Sequence, residues 1–281
     1  MSELLPVALE AGIEPQATVD LAREFGVVPG NIETEAWPWP IRIYTLGRFE
    51  LLLDDKPPEF SRKVPKKVLL LLKAIIAFGA REVPEQKVID ALWPDDEGDA
   101  ARRSLSATLH RLRNVLGDMK VVRHSGGELT LDERFCWIDA RAFESRIERA
   151  RSDPTELEKA IALYRGVFLS QEEGVAWIVS MRERLRAKFV HAVGKLGTAL
   201  EASDQIEDAI DFYLRGIEAD NLAELFYQGL MRCYAKLDRH AEAMSAYRRL
   251  RELLSVTLGV APSSATQRLF SALRLDCAES Q

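Results

Sequence analysis

The stretch Asp99–Gly117, DAARRSLSATLHRLRNVLG, decides how the rest of this sequence is interpreted. Its leucines recur at spacings of four, three and four residues, which places them on one stripe of a helix with 3.6 residues per turn. The other faces are rich in arginine. Such a helix docks its leucines on a protein core and presents cations to solvent, where the phosphates of duplex DNA are a natural partner. The alternative is an amphipathic helix whose charged face is only solvated. The stripe consists of Leu105, Leu109, Leu112 and Leu116.

The segments around this helix complete the order of a winged helix-turn-helix domain. Ile41–Leu53 alternates like two strands, and Lys66–Phe78 and Pro84–Trp93 carry the patterns of two helices. Lys120–Leu131 holds two short extended runs around Ser125-Gly126-Gly127, and the glycines supply the positive φ that a tight hairpin needs. In this kind of domain the third helix enters the major groove, and the hairpin wing contacts the flanking backbone. The sequence therefore predicts a DNA-binding domain.

Candidate DNA contacts follow from where each side chain falls on the predicted helix and wing. Four residues lie opposite the leucine stripe and are predicted to contact base edges: Arg103, Ser106, Ala107 and His110. Arginine can read guanine in a bidentate fashion, whereas serine, alanine and histidine are less decisive readers. The neighbouring cations are predicted to contact phosphates, and the alternative for any one of them is an ordinary surface charge. These cations are Arg62, Lys63, Lys66, Lys67, Arg102, Arg111, Arg113, Arg123 and His124.

The residues that precede this domain form an acidic extension. Residues 4–26 have apolar positions at helical spacing, interrupted by two prolines, which predicts two short helices. Val28–Pro40 contains three prolines and a glycine, so it can be neither a continuous helix nor a central strand. It is predicted to be a linker. We expect Trp37 and Trp39 to pack against the next domain.

The composition of the chain limits the classes of protein to which it can belong. The chain has 281 residues and a formal net charge of -6, yet residues 41–135 form a segment in which basic residues outnumber acidic ones. Its three cysteines are scattered without CxxC spacing, so a disulfide framework is not expected. The longest apolar run, Val68–Phe78, is interrupted by Lys73 and is shorter than the ~20 residues of a membrane span. The first residues lack the basic, apolar and small-residue pattern of a signal peptide, so none is expected. These features predict a cytoplasmic protein.

Motifs for catalysis or cofactor binding are lacking. The sequence contains neither a Walker-type phosphate loop nor a Gly-x-Ser-x-Gly elbow. His191 and His240 are isolated, and no pair of histidines or cysteines has metal-ligand spacing. We therefore expect a protein that is not an enzyme and that carries no cofactor and no metal.

The sequence pattern predicts helices throughout the second half of the chain. Helices are predicted at about 139–151, 155–165, 174–202, 206–219, 222–237, 239–257 and 262–274, with Asp153 and Asp204 as N-terminal caps of two of them. Equivalent residues recur 34 positions apart, which is the tetratricopeptide period. Such helix pairs stack into a superhelix whose concave side holds a peptide or a protein, and the alternative is a plain bundle with coincidental spacing. Gly197, Leu200, Ala209 and Tyr213 correspond to Met231, Tyr234, Ala243 and Tyr247.

An ordered set of short motifs resembles one known family. Ala91-Leu92-Trp93-Pro94 precedes the basic helix, Ala162-Leu163-Tyr164-Arg165-Gly166 follows it, and Thr257-Leu258-Gly259-Val260-Ala261-Pro262 lies near the C-terminus. In this order they resemble the antibiotic-regulatory type of bacterial transcription factor. In that family an OmpR-like winged helix is joined to a bacterial transcriptional activator domain of tetratricopeptide-like helices. The resemblance runs from about Ile41 to Leu273.

The resemblance implies a mainly α fold with small β elements and a division into three parts. Residues 1–40 are then an N-terminal helical extension and linker, 41–138 the winged helix domain, and 139–281 the activator domain. The run Trp37–Glu50 also resembles the C-terminal region of large MalT-like regulators, which carry an ATPase and helical repeats before it. Residues 1–36 are then either the end of such a parent or the start of a short stand-alone protein.

The resemblance further implies a regulator, of the activator kind, that binds promoter DNA through the helix Ala101–Leu116 and the wing. It implies homodimers on direct repeats and a contact between RNA polymerase and the loop Pro94–Gly98. The acids of this loop, Asp95, Asp96 and Glu97, would repel phosphate, which favours a protein partner. The helical repeat domain would serve dimerisation, signal relay or protein contact.

Two residues depart from the family pattern. The family usually has larger polar or charged side chains at the positions of Ser106 and Ala107, and this departure weakens direct readout of bases. It supports an alternative function, a protein-interaction adaptor whose degenerate winged helix does not bind DNA specifically.

Overall fold

A computed structural model of the chain describes residues 2–30, 32–58, 66–96, 98–117, 120–151 and 153–279. The chain divides into two compact units, which are unit 1 (Met1–Ser145 and Gly166–Arg184) and unit 2 (Arg146–Arg165 and Leu185–Gln281). The domain boundaries expected after residues 40 and 138 do not coincide with the limits of these units, and they stay predictions.

Unit 1 begins with the two predicted short helices, α1 (Leu4–Glu10) and α2 (Pro15–Glu24). The linker that follows is irregular, as predicted, and the rings of Trp37 and Trp39 are buried. Nε1 of Trp39 donates a hydrogen bond to the carbonyl of Thr34 at 2.9 Å, so the polar atom of this ring is satisfied as it is buried. The tryptophans therefore act as packing residues.

The described residues of unit 1 form two small β-sheets of three strands each. The first has the strand order β2-β1-β6, with β1 antiparallel to β2 and parallel to β6, and the second has the order β3-β5-β4. β1 and β2 were predicted, whereas β3 and β6 were not, because strands of two or three residues carry no periodic pattern of their own. The strands are β1 (Ile41–Tyr44), β2 (Glu50–Leu53), β3 (Val83–Pro84), β4 (Val122–Ser125), β5 (Glu128–Leu131) and β6 (Cys136–Ile138).

Three helices form the helix-turn-helix core. These are α3 (Lys66–Ala77), α4 (Glu85–Leu92) and α5 (Gly98–Val115). The leucine stripe of α5 is buried, and α5 packs on α3, whose inward residues are all apolar except Lys73. Pro84 corrects one prediction, because it pairs with Glu128 in β3 instead of forming the first turn of α4. Its φ of -57° and ψ of 127° are extended, so the helix begins one residue later.

From Asp139 onward the described residues form helices in nearly the predicted places. Asp153 caps its helix as predicted, because its side chain accepts a hydrogen bond from the amide of Thr155 at 3.0 Å. The prediction for Asp204 was wrong, since this residue has a left-handed φ of 61° and the uncapped Gln205 precedes the helix. The helices are α6 (Asp139–Ala150), α7 (Pro154–Leu163), α8 (Ala176–Ala202), α9 (Ile206–Ala219), α10 (Glu224–Lys236), α11 (His240–Leu258) and α12 (Ser264–Glu279).

The repeated residues of unit 2 have similar packing roles. Ala209 and Ala243 are fully buried where α9 and α11 pack against α10. The ring of Tyr213 fits against Gly197, since a Cβ at that glycine would lie 2.3 Å from the ring. Small residues thus let neighbouring helices approach around an aromatic ring, as the repeat pattern predicts.

Candidate nucleic-acid interface

The exposed face of α5 carries all four predicted base-edge residues. Arg103, Ser106, Ala107 and His110 are exposed, and their spacing of three, one and three residues places them on one side of the helix. Because the leucine stripe on the opposite side is buried, this side of the helix faces solvent. The side of α5 that carries the four candidate residues is therefore the side that is open to a partner.

Asn114 extends this face and was missed by the sequence reasoning. It is exposed one turn beyond His110, and its Nδ2 lies 3.4 Å from Nε2 of His110. Asparagine can read adenine in a bidentate fashion. The signal was present in the sequence, because Asn114 continues the four-residue spacing from His110.

The wing is the predicted hairpin. β4 and β5 are joined by Gly126 and Gly127, whose φ values of 61° and 78° correspond to the mirror-image turns that tight hairpins require. The wing exposes Arg123, whose Nε lies 3.7 Å from Oδ2 of Asp132. A hydrogen bond from Arg134 keeps the pKa of Asp132 below its ordinary value, so this carboxylate stays charged beneath the wing.

Arg113 ties α5 to the wing. Its Nε and Nη2 donate hydrogen bonds to the carbonyl of Val122 at 2.9 and 2.7 Å, and its side chain is half-buried. The guanidinium thus fixes the distance between the helix and the first strand of the wing. Arg113 therefore positions the wing on α5, a role that differs from the phosphate contact predicted for it from the sequence.

An acidic residue lies within this basic surface. Nε2 of His124 donates a hydrogen bond to Oε2 of Glu85 at 2.7 Å, and Nε of Arg102 lies 3.9 Å from the other carboxylate oxygen. The amide of Glu85 donates to the carbonyl of Gly127 at 2.8 Å. Glu85 thus joins α4, α5 and the wing. Sequence reasoning missed it, because 39 residues separate Glu85 from His124.

The other residues predicted to contact phosphate differ in their surroundings. Lys66 and Arg111 are exposed. Lys67 donates to the carbonyl of Leu92 and lies 5.3 Å over the ring of Trp93, so it anchors the end of α4. Arg62 and Lys63 lie outside the described residues.

The acidic loop before α5 is exposed where the structure describes it. Asp95 and Asp96 are exposed, and Oδ2 of Asp96 accepts a hydrogen bond from Ser104 at 3.1 Å. Glu97 lies outside the described residues. The two aspartates therefore present negative charge beside the first turn of α5.

Other kinds of site find little support in the described part of the chain. There, no group of three or more His, Cys, Asp and Glu side chains is placed to hold a metal ion. Burial raises the pKa of the Cys136 thiol to about 12 and that of Cys233 to about 11, so neither is a reactive thiolate at neutral pH. None of the described helices combines the length and the apolar character needed to span a membrane.

Comparison with known proteins bears on the helical half of the chain. The family model of the bacterial transcriptional activator domain matches residues 138–274. These residues belong to that family. The match confirms the domain predicted from the ordered motifs.

Two individual proteins are similar over a longer stretch. The regulatory protein AfsR of Streptomyces griseus is 28% identical over 201 residues, which cover 68% of this chain and 20% of AfsR. The chain thus spans about a fifth of the length of that relative. The structure of Mycobacterium tuberculosis EmbR in complex with a low-affinity phosphopeptide matches with a TM-score of 0.65 and 21% identity, over 84% of this chain and 65% of EmbR. This likeness supports the predicted fold, a winged helix followed by a helical domain.

Proposed function

We propose that this protein is a cytoplasmic, DNA-binding transcription regulator of the activator kind, which binds promoter DNA through α5 and the wing. One observation carries the proposal. The exposed face of α5, with Arg103 and His110, lies opposite a buried leucine stripe. It is next to a wing whose turn is formed by two glycines. This is the arrangement by which a helix reads a major groove while a hairpin grips the backbone beside it.

Different side chains of this surface supply affinity and sequence preference. Arg102, Arg111 and Arg123 are exposed and contact phosphates, which gives affinity that depends on salt. Arg103 and Asn114 contact base edges, which gives preference for sequence. Because Ser106 and Ala107 are small, groove shape and a second subunit supply part of the specificity.

The helical repeat makes protein contacts. Helix pairs of this kind present extended surfaces to peptides and proteins. On this ground we propose for unit 2 a protein or peptide partner that serves dimerisation or signal relay. EmbR was solved in complex with a phosphopeptide, which supports a protein or peptide partner for this chain in general. RNA polymerase is the proposed partner of the loop that contains Asp95 and Asp96. Glu97 belongs to the same proposal.

A selection of bound sequences from random DNA, followed by titrations at several salt concentrations, tests the DNA-binding proposal. Replacing Arg111 with Ala is expected to lower the slope of log affinity against log salt by about 0.9 for all sequences. Replacing Arg103 with Ala is expected to reduce discrimination at one base pair by about 1–3 kcal/mol. Arg248→Ala, an exposed arginine of α11, is the matched control.

Two outcomes would overturn the proposal. One is a protein without affinity for DNA even at low salt. The other is an affinity and salt slope that the α5 variants and the α11 control change equally, since the basic face of α5 would then have no special role.

The second candidate function is a protein-interaction adaptor with a degenerate winged helix. It is favoured by the small side chains of Ser106 and Ala107 and by the net charge of -6. If the protein is an adaptor, a pull-down should recover a stoichiometric partner, and the random-DNA selection should yield no preferred sequence. A regulator would yield a preferred sequence in that selection.

A further inference from the structure

The N-terminal hairpin, which we define as residues 2–28 with α1 and α2, exposes several large apolar side chains. Its two helices bury Leu9 and Ala22. Leu4 is 73% exposed and Phe25 58% exposed, and four more large apolar residues share this exposure. Apolar residues scattered singly are ordinary on a protein surface, whereas a concentration of them on one short segment points to an interaction site. The other four are Val7, Ile13, Leu21 and Val28.

The hairpin is also strongly acidic. Its apolar residues are interspersed with five exposed acids, and Arg23 is its one basic residue. A surface of this composition fits a partner that is apolar at its centre and basic at its edge. The acids are Glu3, Glu10, Glu14, Asp20 and Glu24.

A groove in unit 1 has the opposite composition. It lies between α3, α4 and the segment Gly174–Arg184, and its volume is about 990 Å³. Its apolar lining includes Leu70 and the rings of Phe78 and Trp177, whose centroids are 6.1 Å apart. Three cations, Lys67, Lys87 and Arg184, line it against one acid, Asp90. Arg184 pairs with Glu144, whereas Lys87 is exposed on the surface of α4.

The hairpin is held by its own linker with its apolar residues exposed. The amide of Gly30 donates to the carbonyl of Ser2 at 3.0 Å, and Oγ1 of Thr34 donates to Oε1 of Glu10 at 2.9 Å. These bonds fix both ends of α1 against the linker. Within the described part of the chain, these large apolar residues of the hairpin are exposed, so their surface is open to a second molecule.

We propose that the N-terminal hairpin of one copy docks in the α3–α4 groove of a second copy. Apolar residues of the hairpin cover the aromatic floor of the groove, and its acids face Lys67 and Lys87. Because hairpin and groove are different surfaces, the contact is head-to-tail, and each dimer keeps one free hairpin and one free groove. The interface lies wholly in unit 1, which leaves the helical repeat available to other proteins. It does not depend on DNA binding.

Complementation between two full-length variants tests this contact. The hairpin variant combines Val7→Glu with Phe25→Glu, and the groove variant combines Lys87→Glu with Ser180→Glu. All four positions are exposed, so the fold should be retained, which circular dichroism checks. The measurement is mass by sedimentation and light scattering over a range of concentrations.

The expected results follow from the head-to-tail geometry. The mass of the unmodified protein rises with concentration, and each variant alone stays monomeric. An equimolar mixture of the two forms a 1:1 dimer and nothing larger, because one variant keeps its groove and the other keeps its hairpin. The control, Val256→Glu with Leu258→Glu on α11, removes exposed apolar residues elsewhere and should associate like the unmodified protein.

Three outcomes would overturn the proposal. The unmodified protein could stay monomeric at every concentration, the mixture of variants could stay monomeric, or the α11 control could dissociate as fully as the hairpin variant. The last result would place self-association at the end of α11 instead of at the hairpin.

Discussion

His124 of the wing and Glu85 of α4 form a hydrogen bond of 2.7 Å between side chains that are 39 residues apart in the sequence. The same carboxylate lies 3.9 Å from Arg102 of α5. Glu85 therefore holds in place two of the side chains that the sequence predicts to contact phosphate, and it partly neutralises the surface that they form. A DNA phosphate must compete with this carboxylate for the same side chains.

Replacing Glu85 with Gln should strengthen DNA binding and make it more sensitive to salt. Glutamine keeps the size of the side chain but removes its charge, so Arg102 is free to neutralise a phosphate. The slope of log affinity against log salt should steepen by about 0.9, the value for one additional phosphate contact. Discrimination between the preferred and random sequences should stay unchanged, because a contribution that is equal for all sequences cancels from the ratio of their affinities.

Glu82→Gln is the matched control for this experiment. Glu82 is exposed just before β3, and its replacement changes the net charge by the same amount. If both variants gained affinity equally, the effect would belong to net charge and Glu85 would have no special position.

The sequence predicted those parts of the fold and site that local patterns determine. Helix α5 follows from the spacing of its leucines, and the wing from two adjacent glycines that adopt positive φ. The strands β3 and β6 could not be predicted, since Val83 and Cys136 become strand residues only by pairing with Leu129 and Ile41. Such short strands depend on tertiary contacts.

The roles of individual cations were less predictable than the helix that carries them. Arg111 and Arg113 look alike in the sequence, yet one is exposed and the other is bonded to the backbone of Val122. Lys67 likewise binds the carbonyl of Leu92. Whether a cation faces solvent or a carbonyl depends on neighbours that are distant in the sequence, and helical periodicity carries no information about them.

Asp139 should make stability depend on pH in a direction unusual for a carboxylate. It is buried at the start of α6, where it accepts hydrogen bonds from Thr45, Leu46 and Ala140. Burial raises its pKa to about 6, above the value near 3.9 of an unfolded chain. The folded state thus holds the proton more tightly, so this contribution to stability is complete below about pH 4 and is lost as the pH rises through about 6.

The measurement is urea unfolding of the unmodified protein and of Asp139→Asn between pH 4 and 7. The free energy of unfolding of the unmodified protein, relative to that of the variant, should fall over this interval by up to about 3 kcal/mol. Parallel pH profiles for the two proteins would contradict the prediction. A relative rise with pH would mean that hydrogen bonding to the charged form outweighs burial.

Replacing Gly197 with Ala should destabilise unit 2, although alanine normally favours helices. The new Cβ would lie 2.3 Å from Cζ of Tyr213, and that ring is held by a hydrogen bond from its hydroxyl to Glu201 at 2.7 Å. We expect a loss of about 3 kcal/mol from overpacking, measured by urea unfolding. Gly194→Ala should cost less, because its Cβ would meet only the end of the flexible Leu225 side chain.

A double-mutant cycle identifies the cause of this loss. In a Tyr213→Leu background the ring is absent, and Gly197→Ala should then be close to neutral. An equal loss in both backgrounds would show that the ring of Tyr213 does not set the requirement for glycine.

Lys73 and Glu172 should respond very unequally to substitution. Lys73 is the charged residue on the buried side of α3, where it forms an ion pair with Glu172 and lies 4.2 Å over the ring of Phe49. Glu172 is nearer to solvent, with 22% of its side chain exposed against 10% for Lys73. Glu172→Gln leaves a buried ammonium without its counter-ion and should cost about 3 kcal/mol. Lys73→Met leaves a carboxylate that water can reach, and methionine refills the apolar space, so the cost should stay below about 1.5 kcal/mol.

Combining both changes should recover most of the loss caused by Glu172→Gln, as measured by urea unfolding at neutral pH. If Lys73→Met proved the more damaging of the two, the ion pair itself would be a net source of stability, and the desolvation of Lys73 would be fully compensated by Glu172 and Phe49.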